Sequence, residues 1–197
     1  MFRTFVCKEA VSPLPAGDAA TLSNHLMEVL SNLAECRRSL PASETLFHAG
    51  DPVRCLYLVV IGALRLTRML PHGSELIVQR AEAGAIVSEA SLFAERYCCN
   101  AVATEPSVVR VVRIQIVRSA LRDDATLMWE WVRHLAREVQ HARARAEILS
   151  LKTVARRVEA WRALHNGALP PKGRWRQLAG EIGVSPEALY REFARRG

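Results

Sequence analysis

The 197-residue chain is long enough for one large domain or two small ones, each with a core of its own. Half of its residues are hydrophobic and 24% are charged, which excludes a disordered or fibrous protein, and no run approaches the roughly 18 apolar residues that a bilayer span requires. The formal charge of +7 is concentrated: from Trp131 onward 14 Lys and Arg stand against 6 Glu, so the C-terminal third is fitted to a polyanion unless its basic face is merely solvated.

The first residues, from Met1 to Pro13, are basic but lack a continuous apolar core with a small-residue cleavage site, so export is not expected and the cytoplasm is. Five cysteines in that compartment argue against a disulfide framework, and small buried thiols are their default reading. A helix is predicted from about Ala19 to Arg37. Short β-like runs follow to about Ile116: Glu44 to Phe47, Leu56 to Val60, Ala63 to Arg68, Leu76 to Arg80, Asn100 to Thr104 and Val108 to Ile114. Turn-forming residues separate them, among them Gly50-Asp51-Pro52, Gly62, Pro71-His72-Gly73-Ser74, Gly84 and Glu105-Pro106-Ser107, and strands at this spacing imply a sandwich, barrel or jelly roll.

From Met128 the period lengthens. Apolar or small residues fall at Met128, Val132, Leu135, Val139, Ala142, Ala146 and Leu149, a heptad seam flanked by Arg and Glu. A helix lying along its own domain is the plainer alternative; the narrow stripe favours a second copy of the chain, on a dimer helix from about Arg118 to Ser150. Next come a helix from about Thr153 to His165, a Gly- and Pro-rich loop from Asn166 to Gly173, and a closing pair of short helices. Leu178, Ala179 and Ile182 pattern the first and Gly183 supplies the turn; Ser185 is a suitable N-cap, Pro186 suits the first helical position, and Leu189 and Phe193 mark the buried side of the second. Helix, turn, helix with Arg191, Arg195 and Arg196 outward is a DNA-reading unit, although a plain helical hairpin shares the pattern.

This order of parts resembles the cyclic AMP receptor protein and FNR (Crp/Fnr) superfamily of bacterial transcription regulators. The markers are Phe47-His48-Ala49-Gly50-Asp51, the segment from Tyr57 to Leu66, the stretch from Gly84 to Phe93, and the closing run from Ser185 to Arg191. The resemblance implies an α+β chain: an effector-sensing, cyclic-nucleotide-binding-like β jelly-roll barrel with an N-terminal helix over residues 1–117, a dimerisation helix over 118–150, and a helix-turn-helix lacking its wing over 151–197. It also implies a homodimer on palindromic double-stranded DNA, RNA polymerase as a further partner, and no catalytic role. Ser185, Glu187, Tyr190 and Arg191 match the recognition helix, with Glu187 and Arg191 at base-facing positions, and Arg174, Arg176, Arg195 and Arg196 are candidate phosphate contacts. The hinge falls at Ser150 to Thr153.

The resemblance further places a phosphate-binding cassette between Gly84 and Thr104, in which Glu89 takes the place of the ribose-binding glutamate. The positions of the phosphate-gripping arginine and its serine neighbour fall on Cys98 and Cys99, and no thiol supplies a forked, permanent cation. Cyclic AMP is therefore not expected. The cassette of the superfamily faces the dimer helix near His141, with His134 two turns earlier, so Glu89, Cys98, Cys99 and His141 are the candidate effector residues. Cys98, Cys99, His141 and His134 are candidate ligands for Cu(I) or another soft metal, with thiol oxidation and plain core packing as alternatives. A haem or small-molecule sensor using His72, and a cupin-like metal enzyme using His48 and His72, are the remaining alternatives.

Overall fold

A computed structural model describes residues 25–73 and 75–195. Residues 25–32 form helix α1, the visible part of the helix expected from Ala19 to Arg37; the rest of that expectation up to residue 24 lies outside the described residues, as do Cys7 and Arg196. The helix ends earlier than expected, because Cys36 and Arg37 already belong to a strand.

Among the described residues eight strands follow: β1 Cys36–Leu40, β2 Thr45–Phe47, β3 Cys55–Ile61, β4 Ala63–Met69, β5 Glu75–Glu82, β6 Ile86–Val87, β7 Asn100–Ala103 and β8 Ser107–Arg113. They make two four-stranded antiparallel sheets, in the orders β1-β8-β3-β6 and β2-β7-β4-β5, the two halves of a jelly-roll sandwich. Between the sheets, large residues of β4 meet small ones of β7: Leu64 stands opposite Ala103 and Leu66 opposite Ala101. Phe47 and Tyr97 stack at 3.9 Å in the same core.

The first sheet is covered on both faces. Tyr57 and Val59 point into the inter-sheet core, while Leu56 and Leu58 enter a second core with α1 and the helices that follow β8. This explains why β3 reads as an unbroken apolar run instead of alternating. Gly62 makes the β3–β4 turn at φ +79°, where a Cβ would collide with the backbone of Pro106 and Ser107.

Helix α2 spans Ile114–Asp123 and α3 spans Ala125–Ser150. The single helix expected from Arg118 to Ser150 is thus two. Asp124 breaks it with extended backbone, and its carboxylate accepts from the N–H groups of Thr126 at 2.8 Å and Leu127 at 3.0 Å, capping α3. From α3, Leu127 and Trp131 are buried against the barrel. Glu130 is buried beside them, and both its oxygens receive His25 Nδ1 of α1, at 3.0 and 2.9 Å. This contact fastens α1 to α3, and it raises the pKa of His25.

The remaining helices are α4 Val154–Leu164, α5 Trp175–Glu181 and α6 Pro186–Ala194. They enclose a third core of Val158, Trp161, Leu178, Ala179, Ile182 and Leu189, with Ile148 from the end of α3. No helix among the described residues is long and apolar enough to cross a membrane.

Candidate nucleic-acid interface and effector site

The α5–α6 pair has the local chemistry read from the sequence. The Ser185 side chain accepts from Ala188 N at 3.2 Å, Pro186 opens α6, and Gly183 turns the chain at φ +65°. Leu189 is buried against α5, which leaves Ser185, Glu187, Tyr190 and Arg191 exposed on the outer surface of α6. The Glu187 carboxyl is held below the usual range by its own backbone N–H and by Ser185, with Arg176 and Arg191 adding favourable charge. Arg176, Glu187 and Arg191 are therefore neighbours across the two helices. Arg195 is exposed, 3.7 Å from Glu192. Arg174 and Arg176 also line a cleft of about 510 Å³ against the barrel, shared with Arg80, Glu82 and Glu105. Gln177 of α5 donates to Glu82 of β5 across it.

The seam residues on α3 divide. Met128 and Leu135 pack against the barrel of their own chain. Val132 (45% exposed), Val139 (48%), Ala142, Ala146 and Leu149 face outward. The exposed ridge also carries Trp129, 69% exposed, which the heptad reading missed because it assigned the neighbouring Met128 to the seam. Trp129, Val132, Ala136 and Val139 repeat at three-and-four spacing, with Trp129 and Ala136 one residue on from Met128 and Leu135 and the two valines shared with the seam.

In the cassette, Glu89 opens a short 3-10 turn after Ser88, whose φ is +72°. The side chain is buried; Gln79 Nε2 lies 3.5 Å from one carboxyl oxygen, and the other has no hydrogen-bond partner among the described residues. Burial pushes its pKa up to about 7, and Glu138 of α3 adds to the rise. The part of α3 that acts on Glu89 thus includes Glu138, which His141 also approaches. His134 is half-buried beside Trp131, with Nε2 unpartnered and its pKa lowered by burial. His141 is 77% exposed and lies 3.9 Å from Glu138.

Cys98 and Cys99 lie in a bend just before β7 and differ in burial. Cys98 is exposed, and its carbonyl accepts from Arg68 Nε at 3.2 Å. Cys99 lies in the inter-sheet core, where burial and then the adjacent Cys98 push its thiol up to about 12. Arg96 is held at the surface by Gly50 O at 2.7 Å. Among the described residues no three His, Cys, Asp or Glu side chains converge to hold a metal ion, so one chain does not bring Cys98, Cys99, His134 and His141 together.

The comparisons with known proteins meet this geometry. Residues 37–124 match the cyclic nucleotide-binding domain family. The fumarate and nitrate reduction regulatory proteins of Escherichia coli (strain K12) and Salmonella typhimurium are 24% identical over 169 residues, covering 83% of this chain and 68% of theirs. Among solved structures, FixK2 from Bradyrhizobium japonicum is similar with a TM-score of 0.66 at 22% identity, covering 81% of this chain and 83% of its own. The catabolite activator protein of Thermus thermophilus is similar with a TM-score of 0.53 at 23% identity, covering 87% and 82%. Residues 37–124 thus carry a cyclic nucleotide-binding domain, and with its sandwich, its long α3 and its closing helix pair the chain is similar over most of its length to the Crp/Fnr superfamily of transcription regulators.

Proposed function

We propose that this regulator acts as a homodimer that reads palindromic double-stranded DNA through α6 and answers to an effector other than cyclic AMP. The observation that carries the reading is the surface of α6. Glu187, Tyr190 and Arg191 are exposed on a helix whose other side is locked into a core, behind a capped N-terminus and a glycine turn. Arginine donates two parallel hydrogen bonds to guanine, and glutamate accepts from cytosine N4, so this surface is equipped for base edges in a major groove. Arg174, Arg176 and Arg195 supply phosphate contacts around it.

Selection of binding sites from random duplexes tests this. The parent is expected to enrich a two-fold-symmetric site with half-sites about 34 Å apart. Arg191→Ala is expected to lose about 1 to 3 kcal/mol and to flatten the preference at one position of each half-site. An unchanged consensus refutes the assignment of Arg191.

For the effector, Cys98 in place of an arginine at the cassette's phosphate position, with Arg96 held at the surface by Gly50 O, speaks against a cyclic phosphate, since a buried anion without a paired cation is costly. Cys98 is the accessible thiol there, while Cys99 is kept protonated in the core. We assign Cys98 the signal-receiving role, toward a soft ion such as Cu(I) or a thiol oxidant, both of which act on the thiolate. DNA affinity of the parent is expected to change with Cu(I) or with peroxide, and Cys98→Ser to abolish the change. If the parent is indifferent to both, Cys98 is structural.

A further inference from the structure

The end of α3 and the turn between α5 and α6 are held by one side chain. Arg157, in the first turn of α4, donates four hydrogen bonds to backbone carbonyls: Nε to Leu151 O at 2.8 Å, Nη2 to Leu149 O at 2.9 Å, and Nη1 to both Ile182 O and Gly183 O at 2.9 Å. Leu149 and Leu151 close α3, and Ile182 and Gly183 close α5. Helix C-termini leave such carbonyls without intrahelical donors and carry partial negative charge, so a guanidinium between two of them answers both ends at once. Its planar fork suits this task, and a flexible ammonium could satisfy only part of it. The contact is reinforced by packing, because a Cβ on Gly183 would collide with the Leu149 side chain.

This arrangement bears on the segment Ser150 to Thr153, the hinge suggested by the sequence. The chain on both sides of it is tied to the same guanidinium, so the α5–α6 unit cannot swing on α3 while the four bonds stand. From this geometry we infer that Arg157 is a positioning residue: it fixes the α5–α6 unit on α3 as one rigid body and thereby sets the separation and angle of the two recognition helices of a dimer. This inference rests on the DNA-reading function proposed above and deepens it. Arg157 touches no base or phosphate in this scheme. Its effect appears only when two units must engage two half-sites together, since the gain from the second half-site depends on how well the first contact presents the second unit.

The test compares full-length parent, Arg157→Gln and Arg157→Lys on three sets of duplexes: the selected palindrome, a single half-site, and palindromes with one base pair inserted or removed between half-sites. Arg157→Gln is expected to lose about tenfold or more on the palindrome while its half-site affinity stays within about twofold of the parent. Its penalty for altered spacing is expected to shrink, because a loosened unit adapts to either length. Arg157→Lys is expected to fall between the two. Unchanged palindrome affinity and spacing penalty in Arg157→Gln would overturn the inference. Equal losses on half-site and palindrome in both variants would also overturn it, since Arg157 would then be building the α5–α6 unit instead of orienting it. A parent that enriches no palindrome refutes the DNA-reading function, and the clamp's role falls with it; a parent that does so separates the two claims.

Discussion

At the scale of single residues, burial decides which groups are available for chemistry. Glu89 is 7% exposed, has one unpartnered oxygen, and titrates near pH 7 because the charged form is poorly solvated there. Its pKa is higher in the folded chain than in the unfolded one, where it is 4.5. The folded state therefore binds the proton more tightly. This contribution to stability is fully present below pH 4.5 and is lost as the pH rises through about 7, an effect of about 3 kcal/mol at its full extent. Glu89→Gln keeps the shape without the charge. It is expected to flatten the stability-versus-pH curve between pH 4.5 and 7 and to raise the melting temperature at pH 8. Denaturant titrations of parent and variant across this range check it; parallel curves would mean that Glu89 is solvated or paired in the folded protein. The position of Glu89 was legible in the sequence through its resemblance to a known cassette, but its protonation was not, because that depends on the walls around it. The two thiols were ambiguous for the same reason: only the folded path puts Cys98 at the surface and Cys99 in the core.

At the scale of elements, what the sequence revealed follows the strength of the local pattern. β4, with Leu64 and Leu66 inward, and α6, with its Ser185 cap and Pro186, are set by local chemistry and were readable to within a residue or two. β1, CRRSL, was not. It is an edge strand with only Leu40 buried, and its charges blunt an otherwise open edge while erasing the alternation that marks a strand. β6 has two residues, too few to show any period. The break at Asp124 was hidden because acidic residues are ordinary in helices, and only the two N–H groups that it accepts reveal it as a cap. On α3, heptad spacing fixes a period, while the choice of face depends on where the barrel sits. Met128 and Leu135 went to that barrel, and Trp129 took its place on the outer ridge. Arg157 gave no signal at all, being one basic residue among many in a basic region.

At the scale of the whole molecule, the open question is what covers that ridge. Trp129, Val132, Val139 and Ala146 lie along one side of a 26-residue helix, and an apolar stripe of this length in water marks a surface made for a partner. A second copy fits it, since a two-fold axis along α3 would set ridge against ridge, with the Arg and Glu flanks at its rim. The same axis would bring two α6 helices to one side, as a palindrome requires. Val139 is 48% exposed in the single chain, so a charge there disturbs no core. In a dimer, Val139→Glu would bury two unpaired carboxylates against each other, a cost on the order of 3 kcal/mol or more, which is about a hundredfold in dissociation constant. Sedimentation of the parent is expected to give a dimer at micromolar concentration and of Val139→Glu a monomer that keeps the parent's circular dichroism spectrum. The retained spectrum separates lost association from lost folding. A variant that remains as dimeric as the parent would show that the ridge meets a different partner and that the recognition helices are paired by another surface.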